Sequence, residues 1–203
     1  MNSVYLNEYI DSFEKILSVA YQNDYSLDAV ARAISYSSYF QKIENNNGEF
    51  APIIDDTLLI KSIFPKLDIE LNDLVVYKQC LWAAESYLRI QESTGLTFEA
   101  IFLYIPINEM YHYFVLYHEM DFSQIIERFK ELQKDKSVFA LLLKKYNYSL
   151  TYISQQTNIS SETLFSLKNR RRDIKKVNVD TIVSIANLLR VRVETLAEIK
   201  MMP

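Results

Sequence analysis

The chain has 203 residues, 49% of them hydrophobic, which is ample for a packed core in one large domain or two smaller ones. No stretch reaches the ~18 uninterrupted apolar residues of a membrane span, and the acidic, amphipathic opening MNSVYLNEYIDSFEK is not a secretory signal. A single cysteine, Cys80, cannot form an internal disulfide and suits a reducing cytosol, so a cytoplasmic location is expected.

The net charge of −4 conceals a division. Residues 137–203 carry eleven Lys and Arg against five Asp and Glu, a net +6, whereas 1–136 carry eleven against twenty-one, a net −10. A basic third joined to an acidic two-thirds is the electrostatic outline of a nucleic-acid module attached to a domain with another task. Only two glycines, Gly48 and Gly95, and four prolines are present, fewer than sheet-rich folds spend on turns and bulges; an all-α fold is expected.

In chain order, Leu6, Tyr9, Phe13, Ile16 and Ala20 recur at helical spacing. A second helix is expected over Leu27–Ile43, ending in the turn signal Asn45-Asn46-Asn47-Gly48. Pro52 and Pro65 punctuate the next stretch, leaving room for a short helix at Thr57–Ile63. The clearest pattern is Asn72–Gln91, where Leu74, Tyr77, Leu81, Ala84 and Leu88 share one face. A helix through Phe98, Ile101, Phe102 and Ile105 is interrupted by Pro106. Asn108 can cap the next, with Met110, Phe114 and Val115 inward. Phe122, Ile125, Phe129 and Leu132 mark a further helix. The polar run Gln133-Lys134-Asp135-Lys136 then divides a helical domain, 1–136, from a second domain, 137–203, unless one helix continues across it.

Five short helices fit the second domain. Val138, Leu142 and Leu143 line the first; Ser149 can cap the second and Ser160 the third, which runs from Ser161 to about Asn169; the fourth spans Asp180–Leu189 and the fifth starts near Glu194. Two helices joined by a three- or four-residue turn must approach closely at their crossing, and Ser154 supplies a small residue there. Asn158 sits at the turn and tolerates the left-handed conformation such turns demand. The third helix presents Ser161, Glu162 and Ser166 outward, short side chains that can approach the floor of a major groove.

This register, Tyr148-Ser149, Ile153-Ser154, Asn158-Ile159-Ser160, Leu164, Leu167, Ile182, Ile185-Ala186, Leu189, Val191 and Leu196, resembles the Cro/C1-type (XRE-like) helix-turn-helix family over about 60 residues. The resemblance implies a bacterial, five-helix, lambda-repressor-like domain that binds double-stranded DNA. It implies base contacts from Ser161, Glu162, Phe165 and Ser166, and phosphate contacts from Ser149, Lys168, Arg170, Arg171, Arg172, Lys175 and Lys176. The chain departs from the family at Leu150, where Gln usually braces the backbone contact, and at Asn158 and Asn169-Arg170, where glycine is common. The loop KNRRRDIKK, six basic residues in nine, adds sequence-independent phosphate contacts. The run Arg170-Arg171-Arg172 either grips phosphate or is a solvated loop with no partner, and two further residues keep two readings. Glu162 either accepts from cytosine N4 or complements the helix dipole, and Phe165 either meets a thymine methyl or packs on a partner helix.

The resulting expectation is a sequence-specific transcription regulator, a repressor acting as a homodimer on palindromic sites. Beside a third option, a ligand-sensing domain with an aromatic pocket, the alternative is an antitoxin-like protein that neutralises a toxin through residues 1–136 and represses its own operon. In that reading the acidic domain masks the partner, and AIFLYIPINEMYHYFVLYHEMDFSQII loosely resembles bacterial proteins of toxin–antitoxin-like gene pairs. No catalytic motif and no cofactor signature is present. His112 and His118, six residues apart, point about 120° from each other on a helix, so a shared metal is not expected.

Overall fold

The computed structural model describes residues 3–46, 55–66 and 74–200. Every element among the described residues is helical, and no strand occurs, so the fold is all-α. No helix among them is long and apolar enough to cross a membrane.

Helix α1 (Ser3–Gln22) buries Leu6, Tyr9, Phe13, Ile16 and Ala20, the expected stripe. It packs along α5 (Lys78–Thr94), the most extensive helix pair among the described residues. The single helix expected over Leu27–Ile43 is instead two, α2 (Leu27–Tyr36) and α3 (Ser38–Asn46), broken where Ser37 turns extended at φ −68°, ψ 130°. The break falls in the run Ser35-Tyr36-Ser37-Ser38. There the Ser35 hydroxyl donates to the Ala31 carbonyl at 2.7 Å, the kind of local bond by which serine bends and weakens helices. The redirected α3 brings Phe40 against Phe13 and Phe98, with ring centroids 4.9 and 5.5 Å apart. Asn47, Gly48 and Pro52 lie outside the described residues.

Short helix α4 (Asp56–Ile63) forms as expected, its N-terminus capped by the Asp55 carboxylate, which accepts from the Thr57 and Leu58 amides. Helix α5 starts later than its pattern suggests, since Leu74–Tyr77 are not helical, and Asn72 lies outside the described residues. Its buried side is Cys80, Ala83, Ala84, Tyr87, Leu88 and Gln91, whereas Leu81 is 41% exposed. A central helix wrapped by α1, α7 and α8 on several sides has no single apolar stripe from which the sequence can fix its rotation. Gly95 ends it in the left-handed region at φ 67°.

Helix α6 (Phe98–Tyr104) is capped by Thr97, and α7 (Ile107–Tyr117) begins directly after Pro106, not at an Asn108 cap. Met110 points inward and Phe114 is half-buried, but Val115 is 73% exposed, so it leaves the expected inner set. Helix α8 (Phe122–Asp135) buries Ile125 and Phe129 and ends at Lys136, which is extended. No continuous helix crosses the expected boundary.

Residues 137–200 form α9 (Val138–Tyr146), α10 (Leu150–Thr157), α11 (Ser161–Lys168), a 3-10 turn (Ile174–Lys176), α12 (Val179–Leu189) and α13 (Val193–Leu196). Their buried side chains belong to the same apolar cluster as those of α1–α8. A polar clamp seals the junction. The Glu44 carboxylate, fully buried, accepts from both terminal nitrogens of Arg192 at 2.7 and 3.0 Å and from the Phe98 amide at 2.6 Å. Glu99 accepts from the Thr195 hydroxyl at 2.7 Å and from Tyr36 at 3.0 Å, and the Thr97 and Thr195 hydroxyls bond at 2.9 Å. Burial pushes the Glu44 carboxyl above its ordinary range, outweighing the attraction of Arg192.

Candidate nucleic-acid interface

The caps of α9–α11 are all serines. The hydroxyls of Ser137, Ser149 and Ser160 accept from the amides of Ala140, Tyr152 and Thr163 at 3.1, 3.1 and 3.2 Å, each satisfying one of the free amides that open a helix. Asn158 stands between α10 and α11 at φ 56°, ψ 21°, the left-handed conformation expected of it. The Ser154 hydroxyl donates to the Ile159 carbonyl at 2.6 Å and so pins the turn to the body of α10. Ile153, Leu164 and Leu167 are buried beneath the pair. Leu150, where the resembled family has Gln, is half-buried against the apolar cluster and offers no polar atom there beyond its backbone.

On α11, Ser161, Glu162 and Phe165 are exposed and Ser166 is half-exposed. Positions i, i+1, i+4 and i+5 share one face of a helix, so the four expected base-contacting side chains stand together. Phe165 is 43% exposed, and the guanidinium carbon of Arg171 lies 5.1 Å from its ring centroid, within cation–π range. Tyr152, exposed on α10 with its ring centroid 5.0 Å from that of Tyr148 and the two planes 30° apart, adds an aromatic that the sequence reading did not select.

The basic loop divides its residues among different tasks. Arg170 takes the left-handed φ of 54° at a place where the family favours glycine. The amides of Arg171 and Arg172 then fold back onto the Ser166 carbonyl at 2.9 and 3.2 Å. The Arg170 guanidinium is consumed internally: one terminal nitrogen meets both Glu198 oxygens at 2.9 and 2.8 Å, the Tyr104 hydroxyl at 2.9 Å and the Lys136 carbonyl at 2.9 Å. These bonds make Arg170 a brace between the loop, α6 and the end of α13. Lys168 is half-buried, and its carbonyl accepts from Ser137. Arg171, Arg172, Lys175 and Lys176 are exposed and make no ion pair among the described residues. Asp173 caps the 3-10 turn by accepting from the Lys175 amide at 3.0 Å.

Sequence reasoning gave Arg192 no role beyond its charge. It counts toward the +6 of residues 137–203, yet it is neutralised inside the molecule by an acid 148 positions away. Lys145 is likewise paired, with Asp28 at 3.1 Å. Among the described residues, four cations without an ion pair, Arg171, Arg172, Lys175 and Lys176, thus cluster on the loop after α11. Elsewhere, Cys80 is a buried core thiol whose pKa burial pushes up. Among the described residues no three His, Cys, Asp or Glu converge as metal ligands.

Comparison with models of known families, with curated proteins and with solved structures gives no match for this chain.

Proposed function

We propose that this chain is a sequence-specific, double-stranded-DNA-binding transcription regulator of the Cro/C1 type, with α10 and α11 as its helix-turn-helix. The observation that carries the reading is the coincidence, on one face, of two features. A close helix pair is joined through a left-handed Asn158 and pinned by Ser154, and its second helix has an outward face of small, acidic and aromatic side chains flanked by unpaired cations. In this reading Ser161, Glu162, Phe165 and Ser166 face base edges. Ser149, Lys168, Arg171, Arg172, Lys175 and Lys176 meet the sugar-phosphate rail.

Residues 137–203 then form the DNA-binding part and residues 1–136 the part that dimerises or binds a partner. One such module reads too few base pairs for useful specificity, which favours a cytoplasmic homodimer repressing from a palindromic site. A second reading, neutralisation of a protein partner through residues 1–136, is favoured by the apolar side chains on and after the end of α7. Val115, Leu116 and Met120 are all more than half exposed there, which is where a partner surface would gain most from burial.

The test is fluorescence anisotropy on a labelled duplex across a salt series. Log K should fall linearly with log salt. Arg171→Ala should flatten the slope by about 1 for each phosphate it leaves without its cation, or about 2 for a dimer. An Arg171→Ala protein with unchanged slope and affinity would contradict the orientation.

A further inference from the structure

Of the four side chains on the outward face of α11, only Phe165 is apolar, and it is 43% exposed. The chain after α11 folds back on this residue and the next. The Asn169 amide and its side-chain nitrogen both donate to the Phe165 carbonyl, at 3.1 and 2.9 Å, and the Arg171 and Arg172 amides donate to that of Ser166. Arg170, left-handed and held by Glu198 and Tyr104, fixes the far side of the same loop. The backbone of Arg171 is thereby set against α11, and its guanidinium carbon stands over the Phe165 ring, 5.1 Å from the centroid. A cation over one face of an aromatic ring restrains that ring. The same guanidinium makes no ion pair among the described residues.

The major groove displays one apolar substituent, the 5-methyl group of thymine, among hydrogen-bond donors and acceptors that a phenyl ring cannot satisfy. We propose that Phe165 is a specificity-determining residue that reads the 5-methyl group of a pyrimidine, with Arg171 as the residue that positions its ring. The inference rests on the DNA-binding reading. Arg171 keeps its phosphate contact in this arrangement, since a guanidinium meets a ring with its face and donates hydrogen bonds from its edge. A partner helix packed on Phe165 would instead have to bury that guanidinium without a counter-charge. Thymine and 5-methylcytosine carry the methyl group at the same ring position, whereas uracil and cytosine lack it. Binding is therefore sensitive to cytosine methylation at the base pair Phe165 meets, and a methylated pair is accepted better than an unmethylated one.

The test uses the full chain and the duplex it enriches from a random pool. Each thymine of that duplex is replaced in turn by deoxyuridine, which removes the methyl group alone. Replacement at one position per half-site should weaken binding about fourfold, the worth of one buried methyl group, and replacement elsewhere should leave it within about twofold. At the sensitive position a 5-methylcytosine–guanine pair should bind about fourfold more tightly than cytosine–guanine. These arms use the native protein, so no misfolded variant can imitate them. Phe165→Ala should bring both ratios to about 1, and Arg171→Lys should keep the salt slope yet bring the thymine-to-deoxyuridine ratio below about twofold. An enriched duplex whose affinity no deoxyuridine alters would overturn the proposal, as would a methyl effect that survives Phe165→Ala. Conversion of a dimer to a monomer by Phe165→Ala with the methyl ratio intact would also overturn it, by placing the ring on a partner helix. Failure of the DNA-binding reading would appear separately, as a pool that never enriches, and would remove this proposal with it.

Discussion

Replacing Arg192 with Met tests how the two ends of the chain are held together. In the native molecule the Glu44 carboxylate is fully buried and takes three hydrogen bonds, two from Arg192 and one from the Phe98 amide. Arg192→Met removes two of them and leaves a carboxylate in an apolar interior with one donor. Breaking a buried pair from one side costs about 3–5 kcal/mol. For a cooperative chain of this length, at roughly 2–4 °C per kcal/mol, Tm should fall by roughly 6–20 °C. The loss should depend on pH with a definite sign. Burial already raises the Glu44 pKa, so the folded state holds that proton more readily than the unfolded chain, and ionising it opposes folding at neutral pH. Without Arg192 the pKa rises further. The deficit relative to the native protein should therefore be larger at about pH 7.5 than at about pH 5. The double variant Glu44→Met with Arg192→Met, which removes both charges, should recover most of the stability. Circular-dichroism melts of the four proteins of the cycle at both pH values provide the measurement. A single variant within about 0.5 kcal/mol of native at pH 7.5, or a deficit that grows on acidification, would refute the reasoning.

Three further outcomes follow from the same geometry. Arg170→Ala should lower Tm by uncovering Glu198 and Tyr104 while leaving the salt slope of DNA binding unchanged; Arg171→Ala should do the reverse, and melts beside salt titrations separate the two. Ser154→Ala, which frees the Ile159 carbonyl, should cost about 1 kcal/mol in denaturant titration, with the larger Ser154→Leu costing more because the helix crossing has little room. Asn158→Ala should cost about 1 kcal/mol through its left-handed backbone, whereas Asn158→Gly should be close to neutral by the same assay.

Local features were the most legible in the sequence. The serine caps, the left-handed Asn158 and the buried positions Ile153, Leu164 and Leu167 are all decided by bonds and contacts within one or two turns, so spacing alone discloses them. The stripe of α1 was readable because its apolar residues recur at helical spacing, although Leu17, Ser18 and Val19 beside it are buried as well. Rotation of the central α5 was not, because apolar side chains surround it, and Leu81 consequently fell on the wrong side. The break at Ser37 was missed because helical periodicity runs through it on both sides and only competing serine hydrogen bonds mark it. The fates of Arg170 and Arg192 were illegible in principle. The sequence offered Arg170 as a phosphate contact and Arg192 only as a unit of charge; their partners Glu198 and Glu44 are distant in sequence. The same folding engages Arg170 internally and leaves Arg172 and Lys175 over a groove that no local pattern announces.

The central claim, that α11 reads DNA, is tested most directly by selecting bound duplexes from a random pool with the native protein and with Glu162→Gln and Ser166→Ala. Specific readout by these side chains predicts one enriched, two-fold-symmetric motif for the native protein. Each variant should alter the preference at one position per half-site, with a penalty of about 1–3 kcal/mol on the original sequence and little change on random DNA. A pool that never enriches, or a motif that all three proteins share unchanged, would contradict the claim.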